Sequence, residues 1–268
     1  MPATERTVVF ILSSSHSGST LLALLLGSHS RAAYIGELHK MFNAEQPGRC
    51  SLCDDRKATC PLFYDVAERT PLDIYRSLFE RTGKTVLIDN SKRLKWMTQH
   101  LDDDSFNKKY IHVLRDPRGV ILSRETRGRT TKLSHWPKQN RRFYESLSAP
   151  GRESRLVLYE DFATRREQTL RDLTHWLGFE YEFDQLEYWR VEHHGSGRNG
   201  ATSAFLQDAG TADPAFYKEK ARQHFHDMRW RDQLDREIQD AIAQSDPVRL
   251  LLADMGLHLT ETGLERAR

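Results

Sequence analysis

Val8-Val9-Phe10-Ile11-Leu12 is an unbroken run of apolar residues that stops at Ser13-Ser14-Ser15-His16-Ser17-Gly18. Apolar residues resume at once over Leu21–Leu26. A buried strand, a short Ser/Gly loop and a helix over Ser19–Ser28 satisfy this pattern. An apolar strand without alternation must be covered on both faces, which few folds provide. The alternation recurs along the chain. Thr85–Asp89 reads as a second strand, with a helix over Arg93–Leu101 behind it. Tyr110–Leu114 reads as a third strand; Asp116 can cap the next helix, with Pro117 at its first position. Arg155–Tyr159 reads as a fourth strand, and a helix over Arg165–Leu177 stops at Gly178. The predicted fold class is α/β, a central parallel sheet flanked by helices.

Two segments interrupt that rhythm. A loop-rich stretch over Glu37–Pro71 carries all three Cys, and His193–Gly210 is rich in Gly, Ser, Thr and Asn. Helical periodicity returns over Gln233–Gln244 and Val248–Met255, with Gly256 as a stop. No linker is evident, so a single domain over residues 1–268 is expected, with a Cys-containing insertion around 38–71 and a loop around 193–210. Lys plus Arg number 40 and Asp plus Glu 38, a net charge of +2, so a polybasic nucleic-acid binder is not expected. Both apolar runs fall far short of the roughly 18 residues of a spanning helix, and no small-residue cleavage site follows the first. The expectation is a soluble, cytoplasmic protein. An odd number of clustered Cys does not make a disulfide framework.

The first loop has the makings of an anion cradle. Backbone N–H groups converge where a strand turns into a helix, and the hydroxyls of Ser17, Ser19 and Thr20 add donors. A nucleoside-triphosphatase loop would read G-x-x-x-x-G-K-[ST], whereas Ser13 replaces the first Gly and Ser19 stands where the Lys belongs. The segment also fits an ordinary Ser-rich turn. Arg115 sits at the carboxyl end of the third strand, where such sheets bind ligands. Ser123 lies seven residues beyond the cap Asp116, two helical turns or roughly 10 Å along the same face. The two can grip one phosphate; equally, Arg115 can pair with a carboxylate and Ser123 can be a tolerated helix residue.

Taken together, Ser15-His16-Ser17-Gly18-Ser19-Thr20-Leu21-Leu22 and Arg115-x7-Ser123 resemble the signature pair of sulfotransferases that use 3′-phosphoadenosine 5′-phosphosulfate (PAPS). Gly36-Glu37-Leu38, Asp89-Asn90-Ser91-Lys92 and Tyr159-Glu160-Asp161-Phe162 match in order. The wording is similar to the bacterial branch and to tyrosylprotein sulfotransferases, over roughly residues 7–180. The resemblance implies a P-loop-like three-layer fold. It implies that Ser15, His16, Ser17, Gly18, Ser19 and Thr20 bind the 5′-phosphosulfate, that Arg115 and Ser123 bind the 3′-phosphate, and that PAPS is the co-substrate, with no metal required. It casts Glu37 as the base for the acceptor hydroxyl and Lys92 as the cation for the leaving oxygen. His16 stands where the family usually has Lys or Arg, so donor binding is expected to weaken as pH rises. Arg198 and Asn199, in Gly195–Gly200, are expected to close over the 3′-phosphate. The acceptor is a small-molecule, glycan, lipid or peptide hydroxyl, and the oligomeric state is unreadable. Two rival readings are a nucleotide kinase-like phosphotransferase and a non-catalytic nucleotide-binding protein.

Cys50-x2-Cys53-x6-Cys60 has zinc-like spacing, but structural zinc usually takes four ligands. His39 is the sequence's candidate for the fourth. The expectation is against a metal, with His193 and His194 read as loop residues. The basic run Arg124, Arg127, Arg129 and Lys132 reads as a solvated face or as a preference for an acidic acceptor.

Overall fold

The computed structural model describes residues 6–42, 50, 52, 60–100, 104–130, 132–195 and 226–267. A five-stranded sheet is built from β1 (Thr7–Ser13), β2 (Ala32–Gly36), β3 (Val86–Asp89), β4 (Asn107–Leu114) and β5 (Glu153–Leu158), in the order β2-β3-β1-β4-β5. β1 and β3 are parallel from Thr7↔Val86 to Phe10↔Asp89, and β2 and β3 from Ala32↔Val86. This is the central parallel sheet flanked by helices that the alternation predicts. All seven residues of β1 are buried, as an unpatterned apolar strand requires.

The helix after β1, α1 (Ser19–Gly27), is apolar on every side and buries seven of its nine residues. Its last residue packs against β2: a Cβ added to Gly27 would lie 2.5 Å from the Tyr34 amide nitrogen. β2 was not expected from the sequence. After it come α2 (Leu38–Phe42) and α3 (Pro71–Thr82). Thr70 caps α3 by accepting from the Asp73 amide, Pro71 takes the first turn, and Gly83 stops the helix at φ 64°. α4 (Leu94–Thr98) is shorter than the expected Arg93–Leu101, whose last residue lies outside the described residues. α5 (Pro117–Glu125) begins at the Asp116 cap, whose carboxylate accepts from the Arg118 amide at 2.7 Å. α6 (His135–Leu147), α7 (Tyr159–Thr164) and α8 (Arg166–Leu177) follow, the last closing at Gly178 with φ 87°. Helices Trp230–Gln233, Arg236–Ala243 and Asp246–Asp254 lead into an unanticipated antiparallel hairpin, β6 (Leu257–Thr260) and β7 (Gly263–Arg266).

The chain packs as two compact units. The first comprises the described residues within Met1–Leu12, Ser19–Tyr110 and Leu170–Gln223; the second, those within Ser13–Gly18, Ile111–Thr169 and His224–Arg268. The first unit centres on Phe10, whose ring lies 6.0 Å from Tyr75 and 5.9 Å from Tyr110. The second gathers Leu114, Val120, Trp136 and Leu158 with Val248, Leu251 and Leu252 of the tail and Leu257 and Leu264 of the hairpin. No described helix is long and apolar enough to cross a membrane.

Gly27→Ala weighs two effects against each other. Alanine gains about 1 kcal/mol of helix propensity. Its methyl would meet backbone atoms of Tyr34, which cannot swing aside, and overpacking costs about 1–3 kcal/mol. A net loss of stability is expected in urea unfolding; a variant as stable as the parent would show that α1 and β2 have room to separate.

Candidate functional site

The loop after β1 keeps its shape through contacts within the second unit. His16 adopts φ 69° and Gly18 φ 81°. Gly18 is required, because a Cβ there would lie 2.9 Å from the Tyr159 ring. The Ser14 and Ser17 hydroxyls are 2.8 Å apart. Arg115, at the end of β4, donates from Nη1 to the His16 carbonyl at 2.9 Å, and its guanidinium lies 4.2 Å over the Tyr159 ring. Its Nη2 also pairs with Asp227 Oδ2 at 2.9 Å. So one alternative open to Arg115, pairing with a carboxylate, is realised here. Burial works against the charge on Asp227, but Arg229 and Arg115 together hold its carboxyl well below the usual range.

Ser123 is buried on α5. Its hydroxyl accepts from Arg127 Nη1 at 2.6 Å, and the same nitrogen stands 3.2 Å from His16 Nδ1. A guanidinium only donates, so Nδ1 is the acceptor of that contact. Arg127 thus places a cation beside the loop. In the sequence Arg127 belongs to a basic run, and its one distinguishing signal is its spacing, four residues after Ser123. Ser15 is exposed on the loop, whereas Ser17 is buried.

Ser19 and Thr20 open α1 in the first unit, which contains a second group. Glu37 Oε2 pairs with Lys40 Nζ at 2.8 Å, and Oε1 lies 3.5 Å from Lys92 Nζ. Lys92 Nζ is also 3.5 Å from Thr20 Oγ1, which accepts from Asn90 Nδ2 at 3.2 Å. Burial lowers the Lys92 pKa, while the Glu37 carboxylate opposes that shift. The turn that presents Lys92 is set by Asp89. Its carboxylate accepts from the Ser91 amide at 2.7 Å, from Trp96 Nε1 at 3.0 Å and from the Tyr75 hydroxyl. Lys92 itself has φ 59°. Among the described residues, His16 and Lys92 are the two non-glycines with positive φ. Such backbone costs about 1–3 kcal/mol and gathers at functional sites.

Other sequence candidates fall differently. Arg198, Asn199 and Cys53 lie outside the described residues. Among the described residues, His39 does not join the cluster of Cys50 and Cys60. Its amide donates to Ser91 Oγ at 3.2 Å, and burial pushes its imidazole down to about 4, making it a weak base. His194, read as a loop residue, lies with Cys50 and Cys60. His193 is buried, with Nε2 2.9 Å from the Tyr188 carbonyl oxygen.

Residues 8–183 match the model of the sulfotransferase family, and the chain belongs to that family. Two solved structures share the fold across nearly the whole chain. The sulfotransferase domain of the Synechococcus PCC 7002 olefin synthase is 22% identical with a TM-score of 0.61, covering 96% of this chain and 97% of that one. The sulfotransferase domain from the curacin biosynthetic pathway is 21% identical with a TM-score of 0.59, covering 93% and 97%. A search of curated proteins finds no sequence match.

Glu160, beside Tyr159, gives a pH signature to the second unit. Its Oε1 accepts from the Asp116 amide at 3.0 Å, and burial pushes its pKa from 4.5 up to about 7. Between those values the folded protein keeps a proton that the unfolded chain has lost, so stability falls as pH rises. At 1.36 kcal/mol per pKa unit the loss is about 3 kcal/mol. Glu160→Gln keeps the acceptor oxygen and should flatten that fall. Denaturation midpoints of parent and variant across this range check it; parallel curves would mean the carboxyl ionises freely in the fold.

Proposed function

We propose that the chain moves the sulfuryl group from PAPS to an acceptor hydroxyl and releases adenosine 3′,5′-bisphosphate. The observation that carries this reading is the arrangement of Arg115, Ser123 and Arg127 around the loop 13–18 inside one compact unit. Two guanidinium groups and a hydroxyl beside converging backbone amides suit a ligand with several anionic groups. A kinase-like reading has no loop lysine, since Ser19 takes that position.

The resident residues divide the chemistry. The loop, with Ser15, His16, Ser17, Gly18, Ser19 and Thr20, receives the 5′-phosphosulfate. Arg115 and Ser123 receive the 3′-phosphate, and Arg127 serves the anion from between loop and helix. Arg198 and Asn199 remain proposed for the same phosphate. Glu37 takes the acceptor proton as the acceptor oxygen bonds to sulfur. The bond between sulfur and the 5′-phosphate oxygen breaks, and that oxygen keeps the electron pair. Lys92 meets the growing charge there. Interactions that strengthen toward the transition state are those that raise the rate. The acceptor is a small-molecule, glycan, lipid or peptide hydroxyl. Labelled PAPS incubated with the protein and a metabolite extract tests the whole reading, since a binding protein would label nothing.

Two variants test the parts. Adenosine 3′,5′-bisphosphate should bind better than 5′-AMP, because a charge-assisted contact is worth about 1.5–3 kcal/mol, and Arg115→Ala should remove much of that preference. Calorimetry reads both, and equal affinities in the parent would sink the 3′-phosphate assignment. Glu37→Gln should slow single-turnover transfer by roughly 10²–10⁴ while nucleotide affinity holds. Transfer at the parent rate would mean that another group takes the proton.

A further inference from the structure

Cys50, Cys60 and His194 come from three stretches of the first unit, and their donor atoms lie within 4.8 Å of one another. Both cysteines are buried, and they are not joined in a disulfide. Cys60 Sγ stands 3.6 Å from His194 Nδ1. Zinc bonds of about 2.3 Å to sulfur and about 2.0–2.1 Å to nitrogen, at a tetrahedral angle, separate the two donors by about 3.6 Å. A thiol–imidazole hydrogen bond has a similar length, so that distance alone does not decide.

The third donor and the surrounding contacts do. Cys50 Sγ accepts from the Gly195 amide at 3.2 Å and the Leu52 amide at 3.4 Å, contacts that favour a thiolate. His194 Nε2 lies 3.1 Å from Glu192 Oε1. A carboxylate on one ring nitrogen keeps the proton there and turns the lone pair of the other toward the sulfurs, the usual outer contact of a ligating histidine. A Cys50–Cys60 disulfide would use neither His194 nor Glu192. Two thiolates and an imidazole are soft donors, unsuited to magnesium or calcium.

We propose that Cys50, Cys60 and His194 hold a zinc ion. This reverses the sequence expectation of no metal and replaces His39 with His194. Cys53, which stands in a C-x2-C spacing with Cys50, is the remaining thiol of the zinc-like spacing in the sequence. It lies outside the described residues, and the proposal rests on the other three. The ion's place in the fold suggests its use. A Cβ on Gly195 would lie 2.8 Å from Gly36 Cα, so the strand of chain bearing His194 lies flat against the residue before Glu37. Zinc would tie that chain and both cysteine segments to the end of β2, bracing the turn that carries Glu37.

The experiment uses the full chain, purified without chelators from zinc-supplemented medium. Elemental analysis should find about one zinc per chain. Cobalt(II) exchanged into the protein should show sulfur-to-cobalt charge-transfer absorption and the intense visible bands of a tetrahedral site. Cys60→Ser and His194→Asn should each weaken zinc affinity at least tenfold, with folding checked by circular dichroism. Should a variant fail to fold, the cobalt spectrum of the parent decides. Zinc absent from the parent together with a featureless cobalt spectrum would overturn the proposal. So would full zinc retention by both folded variants, or a Cys50–Cys60 disulfide found in the native protein by non-reducing peptide mapping.

Discussion

Arg115 donates to the His16 carbonyl, pairs with Asp227 and lies flat on Tyr159, and these contacts hold the loop after β1 in its left-handed turn. The guanidinium can do this because its donors diverge in one plane, so separate edges meet separate partners. The room it needs comes from Gly119, where a Cβ would stand 3.0 Å from Arg115 Nε. Its own backbone is pinned by Trp136 Nε1, which donates to the Arg115 carbonyl at 3.1 Å. A lysine could not replace it: a point charge on a flexible stem reaches one partner well, not three in fixed directions. The strained φ of His16 and the absence of a side chain at Gly18 are consequences of where Arg115 and Tyr159 hold the loop.

The first unit solves a similar problem with a carboxylate. Asp89 ends β3 fully buried, and burial raises its pKa despite the hydrogen bonds it accepts. Those partners, Tyr75, Ser91 and Trp96, come from α3, the turn itself and α4. The aromatic core of the unit thereby sets the backbone of Asn90, Ser91 and Lys92. Lys92 then bonds its amide to the Ile11 carbonyl at 3.3 Å, which fastens the strained turn to β1. Backbone strain at a residue that carries charge is tolerated because several buried contacts over-determine it.

The strands β1, β3, β4 and β5 were legible in the sequence because each contains a short apolar run, and the caps at Asp116 and Gly178 because capping is local chemistry. β2 was not, since Ala32-Ala33-Tyr34-Ile35-Gly36 is short and has no β-branched run to mark it. The β6–β7 hairpin was hidden in a tail that reads as helix up to Met255. Among site residues, Arg115, Ser123, Glu37 and Lys92 were named from motif order, and the fold brings Lys92 to Glu37 within the first unit. Asp227 and His194 were invisible as partners. Asp227 meets Arg115 across 112 residues, and no local pattern carries information over such a separation. His194 meets Cys60 across 134 residues for the same reason.

Arg127 bears on how the loop attracts an anion. The sequence expectation tied the loop's positive charge to protonation of His16. In the structure that ring accepts a hydrogen bond from Arg127 through Nδ1. Arg127 adds a guanidinium there, a group that stays ionised at any working pH. Arg127 reaches the loop from the far end of α5 and is steadied by the Ser123 hydroxyl and carbonyl at 2.6 and 2.8 Å. In the proposed reading, the residue that reads the 3′-phosphate and the residue that supplies the loop's cation are thus joined by one nitrogen. A ligand carrying both phosphate groups would engage that pair as a unit, whereas a ligand lacking the 3′-phosphate would leave Ser123 to Arg127 alone.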